Sequence, residues 1–289
     1  MTYLITGATG NVGSLVVERL IECGERPRIF VRDAQKAQAC YGNQVDVFVG
    51  DIADAETVKA ALTGTDALLL LNSGPELAAR DEAAAKAAKA AGVKHLVKLS
   101  SHDARVEGVG TGVWHARGES AIRLSGVPFT FVQPSGFMSN ALFWARSIKT
   151  ESVVRTCTGN GQIPFIHSQD IADVATKALT TRAYLGESLP ITGPEALSYA
   201  EMAAKISAVI EKQVRFETIS EDEERQKMIS NGDAPEVVTA HLSIYRAIRE
   251  GRLKTVTDTV GRVLGRNAIT FDQWVRENLT VFADPVHAS

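Results

Sequence analysis

A glycine-rich turn lies within the first 13 residues, between a short β-prone run and an amphipathic stretch. The run is Tyr3–Thr6, the turn reads Gly7-Ala8-Thr9-Gly10-Asn11-Val12-Gly13, and the amphipathic residues continue to Cys23. In this pattern the first glycine allows a tight turn, the second lets the backbone approach a pyrophosphate, and the third lets the helix pack closely on the strand. The N-terminus of the helix attracts the anion. The spacing therefore predicts a dinucleotide-binding loop that opens a βαβ unit.

Strand-like and helix-like patterns then alternate regularly through the first half of the chain. Asp33 and Asp54 are predicted N-caps of two helices, and Gly92 follows the alanine-rich helical stretch from Glu76 to Ala91. Near-continuous apolar strands separated by helices predict a doubly wound parallel Rossmann sheet of the α/β class. The six strand candidates are Tyr3–Thr6, Arg28–Val31, Val45–Val49, Leu68–Leu71, His95–Leu99 and Phe129–Val132.

The pattern changes after Pro134. Short strands are predicted at Ile163–His167 and Leu189–Thr192, with a helix that begins near Asp170, and the pattern is mostly helical from Ser198 onward. Capping boxes are predicted at Ser198–Glu201 and Ser220–Glu223. We therefore expect a dinucleotide-binding core over residues 1–150. Residues 151–289 would hold the last sheet elements and a smaller, mostly helical substrate-binding lobe.

Composition and charge exclude several classes of protein. The longest apolar runs, such as Ala67–Leu71, are too short to span a bilayer, so no membrane contact is expected. A formal net charge of −3 carries no electrostatic signal for nucleic acid. The three cysteines lack CxxC spacing and no signal peptide is evident, which favours a cytoplasmic protein with reduced thiols. The histidines show no metal-ligand spacing, so no metal is expected, and a monomer or homodimer fits.

The end of the second strand candidate discriminates between the two nicotinamide dinucleotides. NAD sites usually place Asp or Glu there to hold the ribose 2′-hydroxyl, whereas this chain has Arg32. With Asp33 as N-cap, Lys36 falls in the first helical turn, where a cation opposes the helix dipole. Both could be solvated surface charges, but a bound 2′-phosphate would give each a function. The pattern favours NADP(H).

Further motifs extend over nearly the whole chain. They are Thr6–Gly13, Val31–Asp33, Gly50–Asp51, Ile122–Pro128, Pro134–Asn140, Asp170–Ala175 and Thr192–Ser198. In these motifs the sequence resembles the NmrA-like branch of the atypical short-chain dehydrogenase/reductases. That branch includes NADPH-dependent quinone reductases, triphenylmethane dye reductases and redox-sensing regulators that bind the dinucleotide without turnover.

The resemblance implies a cofactor site built at strand ends, where open α/β sheets bind ligands. It implies Gly7, Thr9, Gly10, Asn11, Val12 and Gly13 at the pyrophosphate, Arg32 and Lys36 at the 2′-phosphate, Asp51 and Ile52 at the adenine, Leu71, Asn72 and Ser73 at the ribose and nicotinamide, and Pro134, Ser135, Gly136 and Phe137 beside the nicotinamide.

The chain departs from the Tyr-x-x-x-Lys pair of the main short-chain reductases. None of its five tyrosines has a lysine four residues on, and an alignment on Glu119 places His115 at the lysine position. A phenol-based proton relay is therefore absent. Quinones and cationic dyes need little concerted proton donation, so its loss is tolerable for them. His115, which titrates near neutral pH when unperturbed, is the expected catalytic proton donor, the alternative being a histidine that only helps to start a helix.

Substrate contacts are expected from two segments. Ser101 and His102 follow the fifth strand, and Phe137 with Met138 could form an apolar wall, although an ordinary hydrophobic core explains the latter pair equally well. We expect an NADPH-dependent oxidoreductase that transfers hydride to a small, quinone-like or aromatic acceptor. The alternatives are a non-catalytic NADP(H)-sensing regulatory protein and, less favoured, a sugar-nucleotide epimerase.

Overall fold

The computed structural model describes residues 1–283. Two compact units divide the chain, and the polypeptide passes between them more than once. The first unit comprises residues 1–105, 111–134 and 168–190, and the second comprises residues 106–110, 135–167 and 191 onward. No helix within residues 1–283 is long and apolar enough to cross a membrane.

The strands are short, mostly of four to six residues, and their bounds follow the chain order. They are β1 (Tyr3–Thr6), β2 (Arg28–Val31), β3 (Asp46–Val49), β4 (Ala67–Leu70), β5 (His95–Leu99), β6 (Phe129–Pro134), β7 (Val153–Thr156), β8 (Gln162–Ile163), β9 (Ser188–Ile191), β10 (Leu197–Ser198) and β11 (Arg215–Thr218).

The α-helices alternate with these strands in the first unit and predominate near the end of the second. They are α1 (Gly13–Glu22), α2 (Ala34–Tyr41), α3 (Ala55–Leu62), α4 (Leu77–Ala90), α5 (Gly112–Ser125), α6 (Ala145–Glu151), α7 (Ser168–Thr180), α8 (Tyr199–Ile210), α9 (Glu221–Ser230), α10 (Pro235–Arg249), α11 (Thr259–Leu264), α12 (Phe271–Glu277) and α13 (Leu279–Phe282).

The main sheet has the strand order β3-β2-β1-β4-β5-β6-β9. Ile5 in β1 is paired in parallel with Ile29 of β2 on one side and with Leu69 of β4 on the other. The order therefore reverses direction between β1 and β4, which confirms the predicted doubly wound Rossmann sheet. Ligands of such sheets bind outside the carboxyl ends of the strands at this reversal.

The predicted strand Leu189–Thr192 extends this sheet as its seventh strand, β9. Phe131 N donates to Glu187 O at 3.0 Å, and Ser135 N donates to Ile191 O at 3.0 Å. Both partners advance by four residues in the same direction, so β9 runs parallel to β6. All six strand candidates of the first half are confirmed, with bounds that differ by at most two residues.

The predicted helix starts are confirmed by hydrogen bonds from backbone to side chain. Asp33 accepts from Lys36 N at 2.9 Å and Asp54 accepts from Glu56 N at 3.0 Å. Both halves of each predicted capping box are present, at Ser198 and at Ser220.

One strand prediction for the second unit is wrong, and one strand of that unit was not predicted. A strand was predicted over Ile163–His167, but the structure forms one only at Gln162–Ile163. The strand ends there because Pro164 has no N–H and Phe165 N donates locally to Ile163 O at 3.2 Å. The region after Ser198 also contains β11, which pairs in parallel with β7. With four partly exposed residues, β11 is too short for its alternation to stand out in the sequence.

Each unit has its own hydrophobic core. In the first unit, Leu68, Leu70, Leu96 and Phe131 face a cluster formed with α3, α4 and α5. In the second unit, buried aromatic rings pack around Tyr199, whose centroid lies 5.2 Å from that of Trp144 and 5.9 Å from that of Phe165. These cores fix the strand ends from which the site residues project.

Candidate dinucleotide-binding and catalytic site

The glycine loop between β1 and α1 requires glycine at two positions. Gly7 has a φ of +61°, a backbone conformation that disfavours other residues. A Cβ atom at Gly13 would lie 2.2 Å from Gly7 O, so only glycine lets α1 approach the turn this closely. Gly10 donates its N–H to Gly7 O at 3.0 Å, and it is not in the left-handed region.

Two side chains hold the loop in place. Tyr41 Oη donates to Ala8 O at 2.5 Å, and burial raises the pKa of Tyr41 to about 12, which keeps the donor protonated. Thr6 Oγ1 accepts from Leu71 N at 2.7 Å and ties the end of β1 to the end of β4. The first turn of α1 contains no acidic residue and has no side-chain cap, so its backbone N–H groups suit an anion.

The two cations predicted at the 2′-phosphate follow β2 directly. Arg32 and Lys36 are both exposed, and within residues 1–283 neither side chain makes an ion pair or a hydrogen bond. The backbone N–H of Lys36 donates a hydrogen bond to Asp33 Oδ1, which fixes Lys36 in the first turn of α2. A cation there opposes the helix dipole, and a bound phosphate would compensate it.

The predicted adenine residues lie in the loop after β3. Asp51 is exposed and Oδ1 accepts from Ala53 N at 2.8 Å, which stiffens the turn. Ile52 is partly buried and packs on the core of the first unit. A Cβ atom at Gly50 would lie 2.6 Å from the Phe30 ring, so glycine lets this turn pack against β2.

The loop after β4 is ordered by its own asparagine. Asn72 Nδ2 donates to Leu77 O at 3.1 Å and to Asp81 Oδ1 at 3.3 Å, while Asn72 Oδ1 accepts from Ser73 N at 2.9 Å. Both N–H donors and the oxygen of the amide are therefore occupied within the loop. Asn72 shapes the predicted ribose and nicotinamide side of the site, and Leu71 and Ser73 present the neighbouring surface.

The residues after β5 differ in their hydrogen bonds and in their exposure. Ser100 Oγ donates to Glu119 Oε1 at 2.5 Å, and Gln133 Nε2 donates to the same oxygen at 2.7 Å, so Ser100 is engaged. Ser101 is partly exposed, and its Oγ accepts from Asp103 N at 3.2 Å. His102 is buried, and burial lowers its pKa. Of the two substrate contacts predicted after β5, Ser101 is the one with exposed surface for a ligand.

His115 does not titrate near neutral pH, contrary to the prediction. Burial, and secondarily the positive charge of Lys98, lower the pKa of His115 to about 3. Nδ1 is buried and has no hydrogen-bond partner within residues 1–283. The imidazole is therefore neutral at physiological pH and can form hydrogen bonds, but it is not a ready acid.

Asp103 is a titratable residue that does not belong to any of the sequence motifs described above. It is 9% exposed, and burial raises the pKa of its carboxyl group to about 6. Gly112, the first residue of α5, packs on it so closely that a Cβ there would lie 2.7 Å from Asp103 Cβ. The only feature of the sequence that could have identified Asp103 is its position, two residues after Ser101 in the segment that follows a strand.

The segment after β6 has mixed exposure. Pro134 ends β6 in the first unit. In the second unit, Ser135 Oγ donates to Pro164 O, Phe137 is partly exposed, and a Cβ at Gly136 would lie 2.6 Å from the Phe165 ring. Met138 is 1% exposed within the hydrophobic core of that unit, which favours the core interpretation over a substrate contact.

No group of three or more histidine, cysteine or acidic side chains within residues 1–283 could hold a metal ion. A Rossmann sheet whose first turn is a glycine-rich anion-binding loop defines a dinucleotide-binding protein. The NAD(P)H-binding family matches residues 7–182, and the chain belongs to this family.

Two curated relatives that match the chain over nearly its whole length are named as reductases. The chain is 34% identical to NAD(P)H azoreductase of Xenophilus azovorans, over 96% of this chain and 98% of that protein. It is 36% identical to (4-alkanoyl-5-oxo-2,5-dihydrofuran-3-yl)methyl phosphate reductase of Streptomyces griseus, over 97% and 99% of the two chains. These similarities confirm the prediction of an NAD(P)H-dependent reductase.

A solved structure supports the same assignment. NADPH-dependent quinone oxidoreductase of Escherichia coli, complexed with NADPH, superposes with a TM-score of 0.88 and 26% identity, over 96% of this chain and 100% of that one. The resemblance to NADPH-dependent quinone reductases and the predicted Rossmann-like α/β fold are confirmed.

Proposed function

We propose that the protein is an NADPH-dependent reductase that transfers hydride to a small quinone-like or aromatic acceptor. The observation that carries the cofactor choice is a pair of exposed cations after β2, Arg32 and Lys36, whose side chains have no ion-pair partner among residues 1–283. The acceptor class is supported by the azoreductase and quinone oxidoreductase relatives. Azo groups and quinones share conjugated π systems that accept two electrons.

The cofactor residues follow from the strand ends of the first unit. The turn from Gly7 to Gly13 and the start of α1 would hold the pyrophosphate, Arg32 and Lys36 the 2′-phosphate, and Asp51 with Ile52 the adenine. The loop ordered by Asn72 would border the ribose. Pro134–Phe137 remain the candidates beside the nicotinamide.

Bound NADPH supplies the hydride. The chain's own contribution is to position the acceptor and to receive or supply a hydrogen bond, since hydride transfer depends mainly on proximity. Ser101 Oγ and the neutral imidazole of His115 are the candidate hydrogen-bonding groups. Because His115 is uncharged, the proton that completes reduction of a quinone would come from solvent rather than from an imidazolium.

We also propose a cytoplasmic protein that is a monomer or homodimer without nucleic-acid partners. Cys23, Cys40 and Cys157 are all unpaired, which is typical of a reducing compartment. A net charge of −3 disfavours nucleic acid. Light scattering coupled to size exclusion measures the oligomeric state directly.

The test of the proposed function is a turnover screen. Loss of NADPH absorbance would be followed with quinones, azo dyes and triphenylmethane dyes as acceptors, with a no-acceptor reaction and a no-protein reaction as controls. We expect acceptor-dependent oxidation with at least one class. NADPH binding without turnover across the panel would favour the sensing alternative instead.

A further inference from the structure

A fully buried ion pair lies beneath the loop that follows β4. Lys98 Nζ in β5 is 2.5 Å from Asp81 Oδ2 in α4, and both side chains are 0% exposed. Removing two charges from water carries a large desolvation penalty, and a pair of well-packed apolar residues is often at least as stable. Stability alone therefore gives a weak reason for this pair.

The neighbouring helix leaves space for the carboxylate. A Cβ atom at Gly118 in α5 would lie 2.3 Å from Asp81 Oδ2. Glycine in a helix interior lowers helix propensity relative to alanine. Three elements, α4, α5 and β5, thus combine to accommodate the Asp81 side chain.

The second oxygen of this carboxylate points to a function. Asp81 Oδ1 accepts from Asn72 Nδ2 at 3.3 Å, and Asn72 Oδ1 in turn accepts from Ser73 N at 2.9 Å. Asp81 Oδ1 and Leu77 O both accept from the Asn72 NH₂ group, so the carboxylate helps to determine which end of the Asn72 amide carries that group. Lys98 Nζ contacts the other oxygen of the same carboxylate and thereby holds it in place beside Asn72.

We propose that Asp81 and Lys98 are positioning residues for the NADPH site: the buried pair orients the Asn72 amide, and Asn72 holds residues 71–73 in the shape that receives the ribose and nicotinamide. This inference rests on the proposed place of residues 71–73 in the cofactor site. It adds two residues that touch neither cofactor nor substrate and act through Asn72.

A double-mutant cycle on NADPH affinity tests the inference. Asp81→Leu combined with Lys98→Met removes both charges of the pair and so avoids leaving either partner buried without the other. NADPH dissociation constants of the intact protein would be measured with and without this combination, in the Asn72 background and in an Asn72→Ala background. If the pair acts through Asn72, removing it weakens NADPH binding by about tenfold in the first background and less than about twofold in the second.

The same helix offers a matched control. Lys86 Nζ and Glu82 Oε1 form an exposed pair 2.6 Å apart in α4. Glu82→Leu with Lys86→Met should leave NADPH affinity unchanged in both backgrounds, because this pair does not contact Asn72.

A second variant covers the case in which the charge-free combination does not fold. Gly118→Ala places a methyl group against Asp81 Oδ2 and displaces the carboxylate, while alanine favours the helix. It should weaken NADPH binding only when Asn72 is present.

Equal weakening in both backgrounds, or unchanged affinity in the Asn72 background, would overturn the positioning role. A wild-type protein that does not bind NADPH would overturn both this inference and the proposed function. Binding by wild type together with unaffected pair variants would overturn the inference alone.

Discussion

The carbonyl oxygen of Gly7 lies where a side chain at position 13 would begin, 2.2 Å from an added Cβ atom. The residue that follows β1 and the first residue of α1 therefore approach each other closely. The position of Gly10 differs, because its added Cβ would lie 3.2 Å from Gly7 O and its backbone is not left-handed. The two glycines should therefore respond differently to substitution.

Gly10→Val should abolish binding of NADPH and NADH while the fold survives. The branched side chain would occupy the space of the pyrophosphate, but it requires only a small local adjustment in the turn. Gly13→Ala should lower the melting temperature as well, because the clash is with backbone. Calorimetric titration and thermal unfolding of both variants check the contrast. Wild-type NADPH affinity in Gly10→Val would show that the loop does not hold the pyrophosphate.

Arg32 and Lys36 should determine the choice between NADPH and NADH. We expect wild type to prefer NADPH at least tenfold, about 1.4 kcal/mol, because each charge-assisted hydrogen bond to phosphate contributes roughly 1.5–3 kcal/mol before screening. Arg32→Ala with Lys36→Ala should remove most of this preference and leave NADH binding nearly intact. Fluorescence titrations with both dinucleotides measure the preference. Lys59→Ala, which removes an exposed cation on α3, is the control. Equal wild-type affinities would contradict the assignment.

The sequence predicted most of the first unit because its signals are local. A glycine turn, two acidic N-caps and short apolar strands each depend on neighbouring residues, and all are present. Contacts between residues distant in sequence were not predictable. The proximity of Lys98 to Asp81 depends on how α4 packs on β5, and the neutral state of His115 depends on burial that no motif encodes. For the same reason β11 was missed, since its pairing with β7 links residues about 60 apart.

Asp103 should make stability depend on pH. Burial raises the pKa of its carboxyl from 3.8 to about 6, so the folded state favours the protonated form. This contribution is fully present below pH 4 and is lost as pH rises through 6, which amounts to about 2 kcal/mol of unfolding free energy between pH 4 and 8. The free energy of unfolding of Asp103→Asn should not decrease in this way as the pH rises.

Urea unfolding of wild type and Asp103→Asn from pH 4 to 8 checks this prediction. The free energy of unfolding of the variant, relative to wild type, should rise with pH. Parallel curves for the two proteins would show that the folded-state pKa of Asp103 is near its ordinary value.

His115 should affect turnover more than cofactor binding, and its effect should not vary with pH. His115→Ala should lower kcat for a quinone acceptor by about 10- to 100-fold, below the usual ~10²–10⁴ contribution of a general acid, because solvent can replace it. NADPH affinity should stay within about threefold, since no phosphate contact is lost. A triphenylmethane cation takes hydride without a proton, so the loss should be smaller with that acceptor.

The pH dependence distinguishes a neutral imidazole from an acid. With a pKa of about 3, His115 carries no charge between pH 5 and 9, so the ratio of wild-type to variant kcat should be constant over that interval. His115→Gln, which retains a hydrogen-bond donor, should recover part of the rate. A ratio that falls as pH rises through about 6.5, the ordinary value for histidine, would show that the imidazolium form is the active one. In that case proton donation, rather than hydrogen bonding by a neutral ring, would be the function of His115.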